Sequence, residues 1–228
     1  MWVSVRSSFY TSIFIEDRGD LIVVRLVCGV GINDAGYVTQ VKETVSYLDG
    51  KLKQKLVWIC PFYQTWKSMI ERGYSEKIKL ERPTYKDVTV CEEWHLFSVF
   101  KSWMESQNWE GNQLDKDLLI QGNKIYRHEA CVFVSRQVNM FLIDSAATRG
   151  GFKIGCNWDR QSGKYRAQCS NPFTGEREQL GCFGDEDTAH QAWLSKKLEH
   201  AYALAALQTD ERVAKALISK YEKYSSET

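Results

Sequence analysis

The chain has 228 residues, and 30 Lys and Arg against 29 Asp and Glu leave a formal charge of +1. Hydrophobic residues make up 43% and charged residues 26%, which excludes a wholly disordered or collagen-like chain. The near-neutral balance offers no overall basic field, so any nucleic-acid contact has to be local.

Residues 1–30 alternate polar and apolar positions through Ser12-Ile13-Phe14-Ile15 and Leu21 to Val27. With a break at Arg18-Gly19-Asp20, this predicts a β-hairpin. Tyr37 to Lys55 has room for a second strand pair turning at Asp49-Gly50. From Pro61 the period lengthens: Tyr63, Trp66, Lys67, Ile70 and Tyr74 share one helix face, with Pro61 at its start. Lys77 to Tyr85 reads as a charged loop and Val88 to Cys91 as a short strand. A helix opening at Glu92 puts Trp94, Phe97, Phe100 and Met104 on one side, as core rather than base-stacking residues. Lys116 to Val134 alternates short strands around Gly122-Asn123, and Ser135 opens a helix through Asn139. Gly150-Gly151 is the clearest linker. Beyond it come strands over Lys153–Asp159, Lys164–Ser170 and Glu178–Phe183, then a helix capped by Asp185 and running to about Tyr224.

No apolar run approaches the roughly 20 residues of a membrane span; the longest stretch, Leu21 to Cys28, is interrupted by Arg25. No 7–15-residue apolar stretch of a secretory signal follows Arg6. The seven cysteines are odd in number, widely spaced and free of any C-x-x-C. A disulfide framework is therefore not expected. Cys60, Cys91 and Cys131 lack a fourth partner at ligand spacing, which argues against zinc. The reading is a reduced, cytoplasmic protein with no membrane partner.

In the C-terminal part, Ala189, Ala192, Trp193 and Lys196 recur at helical spacing, so this helix can cover three strands that alone could bury no core. The other sheet face is left with Lys153, Asn157, Arg160, Lys164, Arg166, Gln168, Arg177 and Gln179, and Trp158 and Tyr165 stand among them. Basic and amide side chains on an open sheet suit phosphates and base edges; a solvated, inert face fits the pattern equally well. Gly155-Cys156-Asn157-Trp158, Gly163-Lys164-Tyr165-Arg166-Ala167, Leu180-Gly181-Cys182-Phe183 and Ala189 with Ala192-Trp193 resemble the AP2 DNA-binding domain across 151–200. Cys156 and Trp193 stand where that family usually has Val and Tyr. The resemblance implies binding to the major groove of double-stranded DNA through the sheet.

Leu114-Asp115-Lys116-Asp117, Gly122 to Ser135 and then Asn139 predict a strand, a loop, a return strand and a helix. Asp115 and Asn139 are oxygen donors of the kind that hold Mg²⁺ together with phosphate and water. With the Cys60 to Tyr74 and Val90 to Trp94 blocks, this stretch resembles the HNH (ββα-metal) endonucleases, most of all phage-encoded homing types, over about 29–145. The resemblance implies Mg²⁺- or Mn²⁺-dependent cleavage, no small-molecule cofactor, metal ligation by Asp115 and Asn139, and the cytoplasm of an infected bacterium as the location. It departs from the family where Lys116 takes the position of the general-base His and Tyr126 that of the central Asn. His128 is a substitute base or a surface turn residue, and Lys124 and Arg127 are candidate phosphate clamps. The expected architecture is α+β: an N-terminal extension over 1–28, an HNH-like module over 29–148, and an AP2-like module over 151–228 whose three-stranded antiparallel sheet packs on an extended C-terminal helix. The rival reading is a catalytically degenerate scaffold that only binds DNA or a protein partner. The oligomeric state and the DNA target are not legible in the sequence.

Overall fold

The computed structural model describes residues 3–5, 12–17, 20–48, 51–143 and 151–226. The chain is a mixed α+β protein built from small sheets, mostly antiparallel. Strands β1 (Val3–Val5), β2 (Ser12–Asp17) and β3 (Asp20–Arg25) form an antiparallel sheet in that order. The hairpin expected here is β2–β3, although Arg18 and Gly19 of its turn lie outside the described residues. Strands β4 (Gln40–Leu48) and β5 (Lys51–Ile59) pair with each other as the second expected hairpin, whose turn residues Asp49 and Gly50 also lie outside the described residues.

Helix α1 (Pro61–Tyr74) starts on Pro61, whose missing N–H costs nothing in the first turn. It is followed by α2 (Glu76–Glu81), where a loop was expected. The Ser75 hydroxyl accepts the Ile78 N–H at 3.5 Å, Glu76 lies in the first turn, and Lys77 pairs with Glu81 at i,i+4. After the two-residue β6 (Thr89–Val90), the expected single helix from Glu92 is divided. A 3-10 turn over Glu92–His95 ends at Leu96, which is extended at φ −84° and ψ 125°, and α3 (Phe97–Glu105) follows. Then come β7 (Gln113–Asp115), β8 (Ile125–Tyr126), β9 (Val132–Val134) and α4 (Arg136–Phe141), with the Ser135 hydroxyl accepting the Val138 N–H at the helix start. The last module holds β10 (Cys156–Asp159), β11 (Lys164–Ser170), β12 (Arg177–Phe183), α5 (Glu186–Ala205) and α6 (Glu211–Ser226). The single long helix expected from Asp185 is therefore two helices. Asp210 starts the second, its carboxylate accepting the Arg212 N–H at 2.9 Å. Among the described residues no helix is long and apolar enough to cross a membrane.

The chain divides into two compact units, one of residues 1–109 with 122–131, the other of 110–121 with 132–228. This differs from the expected 29–148 and 151–228. In the first unit, Trp66, Met69 and Ile70 of α1 are fully buried, as are Phe97 and Phe100 of α3. Trp66 Nε1 donates to the Trp94 carbonyl at 2.8 Å, and the Tyr63 and Phe97 rings meet edge-on at 5.5 Å. Strand β6 pairs in parallel with β8. In the second unit, β7 pairs antiparallel with β9. Leu118, Val132, Val134, Val138 and Phe141 share one core with Trp193, Leu194, Leu204, Val213, Leu217 and Tyr221. That shared core is why 110–121 and 132–143 group with the C-terminal module.

Candidate nucleic-acid interface

Strands β10, β11 and β12 form an antiparallel sheet in that order. Ala167 faces inward with Cys156, covered by Ala189 and Ala192 of α5, and Cys169 is buried with Trp193 and Leu194 of the same helix. Gly155 is required here: its φ is +82°, and a Cβ would sit 2.0 Å from Trp193 Cγ. The Trp193 ring stacks on His190 at 5.4 Å, and His190 Nδ1 lies 2.8 Å from the Ile154 carbonyl oxygen.

The cross-strand pairs Asn157↔Arg166, Asp159↔Lys164, Gln168↔Gln179 and Ser170↔Arg177 lie on the opposite, open face. Five of the expected contact residues, Asn157, Lys164, Arg166, Gln168 and Arg177, are thus gathered in one layer. A bulge between Ala167 and Gln168 sets Leu180 apart from the pairing, so Gln179 and Cys182 both face outward, and Cys182 stands opposite Arg166. Simple alternation hides Cys182, because the bulge reverses the side on which the strand continues. Asp159, on the same face, is the other omission; its spacing of two from Asn157 is the signal for it.

Arg166 is held by Asp159 at 2.6 Å, and this bond, with help from the Ser162 hydroxyl and the Gln161 N–H, keeps the Asp159 carboxyl below its usual range. Arg166 rises for the same first reason. Gln168 Nε2 donates to Gln179 Oε1 at 2.9 Å. Three expected contact residues lie elsewhere. Trp158 pairs with Tyr165 on the helix-facing side, their rings 4.9 Å apart. Lys153 precedes the sheet and pairs with Asp187 in the first turn of α5. Arg160 is exposed in the turn that Asp159 closes with Gly163, which has a φ of +63°.

The candidate nuclease residues are divided between the units. Asp115, Lys116 and Asn139 belong to the second, and Lys124, Tyr126, Arg127 and His128 to the first. Asp115 ends β7, and its Oδ1 accepts the N–H groups of Asp117 and Leu118 at 2.8 and 2.7 Å. Asn139 on α4 donates through Nδ2 to Gln113, two residues before Asp115 on the same strand. Both proposed ligands are oxygen donors of the kind a hard divalent cation takes, and Asn139 is tied to β7 through Gln113. Lys116 is only 6% exposed, and its ammonium donates to Asp117.

In the first unit Tyr126 is 2% exposed, and its hydroxyl accepts from Arg72 at 3.4 Å. Burial pushes this phenol up to about 12. The phenol is thus buried and held by Arg72. His128 has a side chain 66% exposed, with Nε2 3.2 Å from Glu129 Oε1. Arg127 reaches the same carboxylate at 3.9 Å, and Lys124 is exposed. The chain matches no family model, no curated protein and no solved structure.

Proposed function

We propose that this protein binds duplex DNA through the open face of β10, β11 and β12. The observation that carries the reading is the single layer of Asn157, Lys164, Arg166, Gln168, Arg177 and Gln179 on a sheet closed behind by α5. Lysine and arginine there supply sequence-independent attraction to phosphates, while asparagine and glutamine have the donor and acceptor pairs that read base edges. The rigid backing keeps these groups at fixed spacings, which matters more for recognition than their modest number of charges. Lys164→Ala and Arg177→Ala should each weaken binding and lower the slope of log affinity against log salt by about 1. Unchanged slope and affinity in both variants would overturn this interface.

A second reading, metal-dependent phosphodiester hydrolysis of the HNH type, is favoured by the meeting of Asn139 with β7 beside Asp115. Asp115 would hold the cation through its Oδ2, since Oδ1 serves the turn, and Asn139 through its side-chain carbonyl oxygen. A divalent cation bound there supplies Lewis-acid stabilisation of the phosphate. Lys116 donates to Asp117, and His128→Ala tests the other base candidate that the sequence offers. Incubation with supercoiled plasmid in Mg²⁺, Mn²⁺ or EDTA decides between the readings: relaxed or linear product only with metal supports hydrolysis, and no product with either metal leaves DNA docking alone.

A further inference from the structure

Strands β4 and β5 pair only with each other among the described residues, and every described side chain over 41–45 and 54–58 is exposed. A lone two-stranded ribbon is marginally stable in water. This one nevertheless exposes Val45, Leu56, Val57 and Trp58, the last at 47%. It also concentrates charge: Lys42, Lys51, Lys53 and Lys55 stand against Glu43 and Asp49 over residues 40–59, an excess larger than that of the whole chain. A nine-residue strand extends about 30 Å at roughly 3.3 Å per residue.

We propose that the β4–β5 ribbon is a second DNA-contacting element that lies in a groove of the duplex. This rests on the reading of the chain as a DNA-binding protein. The major groove admits a two-stranded ribbon, lysines along such a ribbon meet phosphates, and exposed valine, leucine and tryptophan suit thymine methyls and base faces. The basic excess selects a polyanion over a second copy of this chain, whose equivalent ribbon would bring lysine against lysine.

The test is duplex binding by the full chain carrying Lys42→Ala with Lys55→Ala, both exposed substitutions, and separately Trp58→Ala. Circular dichroism and sedimentation are run alongside. The double variant should stay folded, bind more weakly and lose about 2 from the salt slope. Trp58→Ala should weaken binding with little change of slope. Unchanged affinity and slope in the ribbon variants, with loss in Lys164→Ala, would overturn the ribbon and leave the sheet interface standing. Absence of duplex binding by the unaltered chain would overturn both. A wild-type dimer that becomes monomeric in a ribbon variant would also overturn the proposal, by assigning the ribbon to contact between copies.

Discussion

At Asp115 the carboxylate that could meet a cation also closes a turn, and the two roles respond to different substitutions. Asn keeps an oxygen for the N–H groups of Asp117 and Leu118 and removes the charge; Ala removes both. Asp115→Ala should therefore cost about 1 kcal/mol in denaturant unfolding, the usual size of a lost side-chain cap, while Asp115→Asn stays near wild type. Equal stability of the two variants would remove the turn-closing role. If plasmid nicking occurs, both variants should lose it. Gly155 presents a harder constraint. Gly155→Ala sets a methyl against Trp193 at a φ of +82°, a clash on top of backbone strain. The expected loss is more than about 1 kcal/mol, and a melting temperature within a degree of wild type would contradict it.

Helix α4 has six residues and carries Asn139, so something beyond its own hydrogen bonds must fix it. Its C-terminal end is gripped by the last two helices. Lys197 of α5 donates to the Phe141 carbonyl at 2.7 Å and lies 3.6 Å from the centre of the Phe141 ring. The Tyr221 hydroxyl of α6 donates to the same carbonyl at 3.3 Å, and Lys220 reaches that of Leu142. Cations at a helix C-terminus are favourable in sign. Burial nevertheless dominates Lys197, lowering its ammonium to about 8. The unfolded chain, with an ordinary lysine, binds the extra proton between pH 8 and about 10.4, so this group adds stability as pH rises through that window. Its burial cost is fully present below pH 8. Relative to Lys197→Met, the wild type should gain on the order of 3 kcal/mol between pH 7 and pH 10.5. A pH-independent difference between the two proteins would refute this. None of this grip is legible in the sequence, where Lys197 is one of two adjacent lysines on its helix. The turns of the last module and the start of its covering helix, by contrast, are legible, because Gly163, Gly175 and Asp185 punctuate it with turn and cap chemistry.

At the scale of the whole chain, the α+β class and the covered three-stranded sheet can be read from periodicity, since alternation and helical spacing are local properties. The division into units cannot. Leu118, Val138 and Phe141 reach their partners on α5 and α6 only through long-range packing, and a Gly-Gly pair in the sequence says nothing about which core its flanks join. The surroundings of Lys116 and Tyr126 are hidden for a related reason: burial gives each a neighbour that spacing does not reveal, Asp117 and Arg72 respectively. If the shared core is one cooperative unit, Leu217→Ala should cost about 2–5 kcal/mol. It should also lower hydrogen-exchange protection in β9 and α4 together with α5. Protection lost in α5 while β9 and α4 keep theirs would separate the two.

The interleaving of the units also constrains synthesis. The chain leaves the first unit after Trp109, returns to it for 122–131, and leaves again. Emerging from a ribosome at about 5–20 residues per second, the first unit lacks β8 until residue 126 is out, and β7 waits unpaired for β9. Residues 110–121 then wait through nearly a hundred more for the helices that bury Leu118. No single cut in the gene yields both units whole, and a shuffled fragment beginning at Gly151 would carry its sheet without the strands and short helix that complete its core.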